Sequence, residues 1–538
     1  MKIIIILWTL FFVCFPTSAQ VVERPYPEEW KQLVPGARFV DRFLPMPDGR
    51  QETGIWGADS VLCRYVDNGI ELPDVSFWGG NILRSSDGKY HLYVCGWAED
   101  SPNGHGTWWD STVFHAECDN STGPFKIRNT VGRGHNPEAF RLDDGRIVVY
   151  VIDGYYIADC ENSLVWMYKK FNFDARDRNI IDGLSNLTFA RRSDGSRLMV
   201  CRGGGVWVSR DGQSTYRQLT SRSVYPAIEG HFEDPVVWRD SLQYHLIVND
   251  WKGRIAYYLR SKDGVHWFTE PGEAYVPGVS FHRDGTRELW FKYERPKVFQ
   301  DEWGRVTQMN FAVIDTLKWE DKPCDRHSSK NISIPLNKGL LLEVLNEKEI
   351  TSSTKNIELR IIAEQGFDPH KEVDVQSLRF GSYQEVNYGR GSKPVRTRKD
   401  GKDLIVVFNG KGSGITAEEF APKLIGRKRN GEMVFGYARL PYVDYCPALV
   451  SACKPVYVKD EGRLDVRVEN FGLSVSSPAE LEIWLDGVSL GRQPISPIKP
   501  YDSIMVSQQV GEQHVTDTSV WRVTLRRVNG EILEDVSF

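Results

Sequence analysis

Five stretches of this chain repeat one layout, and that repeat restricts the fold more than any other property of the sequence. They are GGNILRSSDGKYHLYVCGW from Gly79, NPEAFRLDDGRIVVYVIDG from Asn136, NLTFARRSDGSRLMVCRGG from Asn186, DPVVWRDSLQYHLIVNDWKG from Asp234 and RPKVFQDEWGRVTQMNFAVID from Arg295. Each runs from a polar or small residue through an apolar stretch and an acidic turn into a second apolar stretch, the pattern of a β-hairpin. The copies start roughly 50–60 residues apart, the length of a four-stranded propeller blade. VWVSRDGQSTYRQL and IAYYLRSKDGVHWFTEPG, which lie between copies, supply further strands. The repeat predicts an all-β chain with a five-bladed β-propeller over residues 20–330. An α/β barrel of this length needs eight amphipathic helices, and only PEEWKQL near residue 30 has a helical texture.

The rest of the chain reads as additional β-structure behind an export signal. IELRIIAEQG, SLRFGSY, DLIVVFNG and MVFGYARL alternate like half-buried strands and predict a β-sandwich over residues 331–445. KPVYVKDEGRLDVRVENFG, AELEIWLDG and SVWRVTLRRVNG predict a second, immunoglobulin- or fibronectin-like sandwich over 446–538. At the other end Lys2, an apolar run from Ile3 to Phe15 and Pro16-Thr17-Ser18-Ala19 have the order of a secretory signal peptide, residues 1–19, with cleavage expected after Ala19. This places the mature chain outside the cytoplasm, secreted or periplasmic. No later segment has transmembrane length. Of the cysteines beyond the signal, none has C-x-x-C spacing, which argues against zinc. Cys446 and Cys453 are close enough for a local disulfide, and Cys95 and Cys201 read as buried thiols.

Composition bears on the ligand. A net charge of -5 excludes a nucleic-acid partner, which needs a basic face. Seventeen tryptophans and 12% aromatic residues suit a protein on which sugar rings stack, although β-rich chains use aromatics for packing as well. In a propeller the first residues of the innermost strands face the mouth of the central channel. By repeat position these are Gly79, Asn136, Asn186, Asp234 and the Glu294-Arg295 pair. Hydrolysis of a glycosidic bond uses one carboxyl group to protonate the leaving oxygen and another to activate water or attack carbon. Glu233 and Asp234 before Pro235, and Glu294 before Arg295-Pro296, can supply them from neighbouring blades. Arg295 can hold a carboxylate ionised or grip an anionic substituent; as a structural alternative, Glu294-Arg295 is an inter-blade ion pair. Trp78 and Trp108-Trp109 are candidate sugar platforms, and Trp238 reads as core. Among His135, His231, His282 and His327, the first two are the preferred binding residues, with Asn81, Asn136, Asn186, Glu233 and Arg295 as further substrate contacts. No cofactor is required. The one ion these clusters suggest is a structural divalent cation, Ca2+ or Mg2+, in the channel, and no metal-ligand spacing demands it.

The order of the five repeats, the Glu-Asp-Pro before an aromatic strand, Ser261-x-Asp263-Gly264-x-x-Trp267 and Glu294-Arg295-Pro296 together resemble the five-bladed glycoside hydrolases. The chain looks most like glycoside hydrolase family 117 and its relatives, with family 43 more distant, over about residues 30–335. The resemblance implies an exo-acting enzyme that removes a terminal sugar from a polysaccharide fragment with inversion. It also implies a homodimer joined through an N-terminal segment, here PEEWKQLVPGARFVDRFLPMP. Carried over residue by residue, Asp234 matches the carboxylate that orients or tunes the acid, and Glu294 falls at the acid position. The family's first-blade base has no counterpart at Trp78-Gly79-Gly80-Asn81, and Asp74 and Asp59 are the nearest carboxylates. The sequence therefore favours an exo-glycosidase. A non-catalytic glycan-binding propeller and a polysaccharide lyase on the same scaffold are the rivals.

Overall fold

A computed structural model describes residues 21–538 apart from 48, 50, 53–63, 182, 214 and 514. The signal segment and Asp59 lie outside the described residues. Five separate sheets follow one another as blades, antiparallel throughout except where Phe173–Asp174 pairs in parallel with Tyr216–Gln218 in the third. Blade 1 runs from Val75–Arg84 to Lys126–Arg133, and blade 2 from Glu138–Arg141 to Met167–Lys169. Blade 3 spans Phe173–Asp174 to Tyr216–Gln218, blade 4 Phe232–Arg239 to Phe268–Tyr275, and blade 5 Lys292–Gln300 to Ser329–Pro335. The Asp-Gly dipeptides at 87–88, 144–145 and 194–195 close the inner hairpins of the first three blades, each glycine at positive φ. The last strand of blade 5 pairs along its whole length with Val306–Ile314, so the propeller extends to Pro335. The ring is closed by residues that precede blade 1: Ile70 bridges Asn331, and the Asn68 side chain exchanges two hydrogen bonds with the Ser333 backbone.

All five inner strands have a left-handed residue at one equivalent position, inside the strand in blades 1, 4 and 5 and two residues before it in blades 2 and 3, and these residues form the channel mouth. Gly79, Asn136, Asn186, Asp234 and Arg295 have φ of 63, 55, 50, 56 and 50°, the left-handed region that glycine and asparagine enter most readily. In blades 1, 4 and 5 the ladder skips at this point, between Trp78 and Asn81, Glu233 and Val236, and Glu294 and Lys297. Two residues further on, a polar side chain ties each of the first three blades to the next. Asn81 bonds both backbone groups of Ala139. Glu138 Oε1 accepts from the Phe189 N–H at 2.8 Å, and Thr188 Oγ1 accepts from the Val237 N–H at 3.1 Å. At the same position in blade 5, Lys297 reaches across to Glu138 Oε2.

Within residues 21–47, PEEWKQL forms only a short 3-10 turn, Glu28–Gln32. The segment then lies along blade 4. The Trp30 ring meets Tyr257, and Phe39 packs on Trp238 and Tyr258. The residues expected to serve association are thus packed against their own propeller. Between Leu342–Val344 and Met433–Arg439 the chain forms one seven-stranded sheet. It curls so that Phe380 on one edge strand meets Phe408 near the other, giving two layers out of a single sheet. Beyond it, two four-stranded sheets face each other around Val466, Val468, Leu481, Ile483, Val523 and Leu525. Both modules contact the hairpin ends of the inner strands, away from the mouth. Arg305, in the hairpin turn of blade 5, bonds Glu364, and Tyr501 bonds Asp194 and Ser196. Cys446 and Cys453 are both free thiols, contrary to the disulfide expected from their spacing. Cys453 is buried and accepts from Arg467 and Arg176.

Candidate active site

A cavity of about 310 Å³ lies between blades 4 and 5 and the curled sheet, at the hairpin end. Its histidine, His245, is held between Asp240 and Tyr258 and stacked on Trp238, so it offers no free acid-base group. The chemistry lies at the opposite end, where the left-handed residues meet. There Asn136 Nδ2 donates to Asn186 Oδ1 at 3.0 Å. Asn186 Nδ2 donates to Glu233 Oε1 at 2.9 Å and Asp234 Oδ1 at 3.4 Å. The Arg295 N–H donates to Asp234 Oδ2 at 3.1 Å, and its guanidinium pairs with Asp234 Oδ1. The chain of contacts thus crosses blades 2, 3, 4 and 5. Blade 1 contributes only backbone: the Gly79 carbonyl accepts from Asn331 at 2.5 Å.

Three carboxyl groups gather here in unlike surroundings. Glu233 is the accessible one, within 4 Å of Arg202 and Arg295. Asp234 is buried; loss of solvent and the charges of Glu233 and Glu294 push it up to about 6, against the pull of Arg295. Glu294 is equally buried, but Lys318 and Lys292 flank it. These two ammonium groups outweigh desolvation and hold it below the usual carboxylate range. That shift runs opposite to what a general acid needs at neutral pH. The two ammonium groups thus weigh against the acid role expected for Glu294, and the raised Asp234 is shifted in the direction of a proton donor.

Several other expected contacts have structural roles. Asn81 is committed to Ala139 of the next blade, so it is a blade-to-blade fastener and does not contact substrate. His135 is buried, shares a hydrogen bond with Ser111 and lies against the rings of Trp108 and Trp97. Burial keeps it well below the ordinary histidine range, neutral and out of substrate reach. Trp78 is 1% exposed. Its ring lies between the Lys318 ammonium at 4.8 Å and the edge of His105 at 4.6 Å, so it is not an open platform. Trp108 and Trp109 are exposed on the rim, at 42% and 63%. His231 is exposed beside Arg24. Asp74 is exposed just before the first strand of blade 1, five residues before the break at Gly79. His282 bonds Glu288 and His327 bonds Asp315. Among the described residues, no group of three His, Cys, Asp or Glu is arranged to hold a metal ion, and none of the described helices is long and apolar enough to cross a membrane.

The sequence reading missed Lys292, Lys318, Trp251 and Arg254, which surround Glu294. Trp251 and Arg254 belong to the short turn leaving the second strand of blade 4, and the repeat position of that turn was the available signal. No protein-family model matches the chain, and no curated protein matches it. Several solved structures are similar in shape. An α-L-arabinofuranosidase from Lactobacillus brevis is 11% identical over 49% of this chain and 92% of its own, with a TM-score of 0.35. An endo-arabinase from Bacteroides thetaiotaomicron is 11% identical over 50% of this chain and 97% of its own, with a TM-score of 0.32. A family-43 protein from Bacillus licheniformis is 8% identical over 85% of this chain and 86% of its own, with a TM-score of 0.34.

Proposed function

We propose that this chain is a glycoside hydrolase that removes a terminal sugar from a polysaccharide-derived oligosaccharide at the mouth of its propeller. One observation supports this reading above the others. Two buried carboxyl groups on adjacent blades interact with each other, and their surroundings push them in opposite directions. Such a split supports reading one as an acid and the other as a base. In the proposed reaction Asp234 protonates the leaving glycosidic oxygen, and ionised Glu294 takes a proton from water as that water attacks the anomeric carbon. The net result is one C–O bond broken, one formed and inversion at carbon. Glu233, Arg295 and Asn186 bind the sugar, and the exposed Trp108-Trp109 pair stacks the following ring. No metal or organic cofactor enters these steps. The chain acts outside the cytoplasm after removal of residues 1–19.

A second reading is a glycan-binding protein without turnover. It is favoured by Gly79-Gly80 on blade 1 and by the cation paired with each mouth carboxylate. The test is oligosaccharide digestion by wild type, Asp234→Asn and Glu294→Gln, with circular dichroism verifying the fold. The hydrolase predicts reducing sugar from wild type and loss of activity in both variants. Turnover unchanged in Glu294→Gln refutes the assignment. Binding without any product supports the second reading, and an unsaturated product absorbing in the near ultraviolet identifies a lyase.

A further inference from the structure

Beside Glu294, Asn249, Trp251, Arg254, Tyr275, Pro277, Lys292 and Tyr293 line a small pocket. Three of its polar atoms are buried without a hydrogen-bond partner among the described residues: Asn249 Nδ2, Arg254 Nε and the Tyr275 hydroxyl. Asn249 and Tyr275 are each 1% exposed. Glu294 Oε1 forms an ion pair with the Lys292 ammonium at 3.4 Å but has no partner in hydrogen-bonding geometry among the described residues. A folded chain seldom leaves one such atom unsatisfied, and here four belong to residues that line a single space. Their chemistry is specific. Two are donors only, one carboxylate oxygen is an acceptor only, and the phenol can be either. The group that satisfies them accepts two or three hydrogen bonds and donates one, which describes a hydroxyl oxygen. A carboxylate or sulfate has no proton to give Glu294. The space of about 10 Å³ has room for one oxygen atom and not for a ring. The ring of Trp251, with Lys292 over its face at 4.6 Å, forms an apolar wall beside that position.

We propose that this pocket is a recognition subsite for one hydroxyl group of the bound sugar, with Asn249, Arg254 and Tyr275 as its specificity-determining residues. The inference rests on the carbohydrate reading above but needs no turnover. Neutral hydroxylic oxygen also describes a permanently bound water, and the two sources are separable through a neighbouring tyrosine. Tyr293 also lines the pocket, but its hydroxyl is bonded to Ser280 Oγ at 3.0 Å and the Glu288 carbonyl at 3.3 Å. Removing it costs the fold a bond; removing the Tyr275 hydroxyl costs the ligand one.

The experiment compares wild type, Tyr275→Phe and Tyr293→Phe in thermal melts and in calorimetric titrations with L-arabinose, D-xylose, D-galactose and D-glucose. The expected result is saturable binding of at least one sugar by wild type, weakened about tenfold in Tyr275→Phe at unchanged Tm. Tyr293→Phe should show a lower Tm with binding within about twofold of wild type. Three results overturn the proposal: no sugar binds wild type, Tyr275→Phe binds as wild type does, or Tyr275→Phe loses Tm with binding intact. The last identifies a structural water. A wild-type chain that binds sugar and releases no product defeats the hydrolase and leaves the subsite standing.

Discussion

Adjacent glycines in blade 1 offer the sharpest test of how the channel mouth is built. Gly79 and Gly80 both have positive φ, 63 and 95°, yet their surroundings differ. A Cβ on Gly79 has Asn136 Cα at 3.5 Å and Pro137 Cδ at 3.7 Å as its nearest neighbours, ordinary contact distances. The other four blades already place Asn, Asn, Asp and Arg in that conformation. Gly79→Asn should therefore cost only the left-handed backbone term, about 1 kcal/mol. A Cβ on Gly80 falls 2.3 Å from the Tyr93 carbonyl oxygen and 2.9 Å from Val94 Cα. Both are backbone of the paired strand and cannot give way without parting the hairpin. Gly80→Ala carries backbone strain plus overpacking, together about 3 kcal/mol or more. Tryptophan-fluorescence melts in guanidinium, run side by side, read the difference. If Gly79→Asn proves as damaging as Gly80→Ala, the equivalence of the five left-handed positions is wrong. Gly79→Asp adds a functional arm: with Glu294 as base, a carboxylate on blade 1 should bring no gain in kcat/KM. A gain of about tenfold or more would make blade 1 the seat of the missing base.

Other outcomes follow from the same geometry. With Asp234 as acid at about 6 and Glu294 held low, kcat/KM should fall as pH rises through about 6; a plateau extending to about pH 8 contradicts the roles. Asp321, buried near Glu99, Asp325 and Asp315, is raised to about 7. Its folded form binds a proton that the unfolded chain releases near 4, so this group's contribution to stability falls as pH rises through that window. Asp321→Asn should then raise Tm more at about pH 8 than at about pH 4, and an equal effect at both refutes the shift. Lys297→Met leaves the buried Glu138 carboxylate without its cation and should cost about 3–5 kcal/mol in chemical denaturation; a neutral outcome means that the pair is dispensable. EDTA should change neither Tm nor activity, and a drop in either reveals a cation in the channel.

The parts of the fold that could be read in advance are those written in local chemistry. Asp-Gly turns at 88, 145 and 195 need positive φ at a defined place, and only glycine enters it cheaply. Asn136, Asn186 and Asp234 announce the mouth for the same reason. Arg295 shares their φ of about 50° against its own preference, held there by Asp234, and only the repeat register reveals it. The site was less legible because its meaning depends on partners distant in sequence. Asn81 reads as a sugar contact until Ala139, 58 residues on, takes both its hydrogen bonds. Glu294 reads as an acid until Lys318 arrives from the long loop of blade 5. Trp78 reads as a platform until the same lysine and His105 cover it. Asn249 and Tyr275 were hidden by apolar strand alternation, since an unsatisfied hydroxyl or amide has no signature in sequence.

Ring closure sets the order in which this protein can be completed on the ribosome. Asn68 and Ile70 leave the exit tunnel early, yet their partners Asn331 and Ser333 are among the last propeller residues synthesised. Through most of translation, the growing crescent of blades has a raw edge at either end. Only when Pro335 has emerged can the two edges join and bring Gly79 beside Asn331. A nascent chain stalled before Ser329 is thus an open arc without a finished mouth, exposing unpaired strand edges to chaperones or to other arcs.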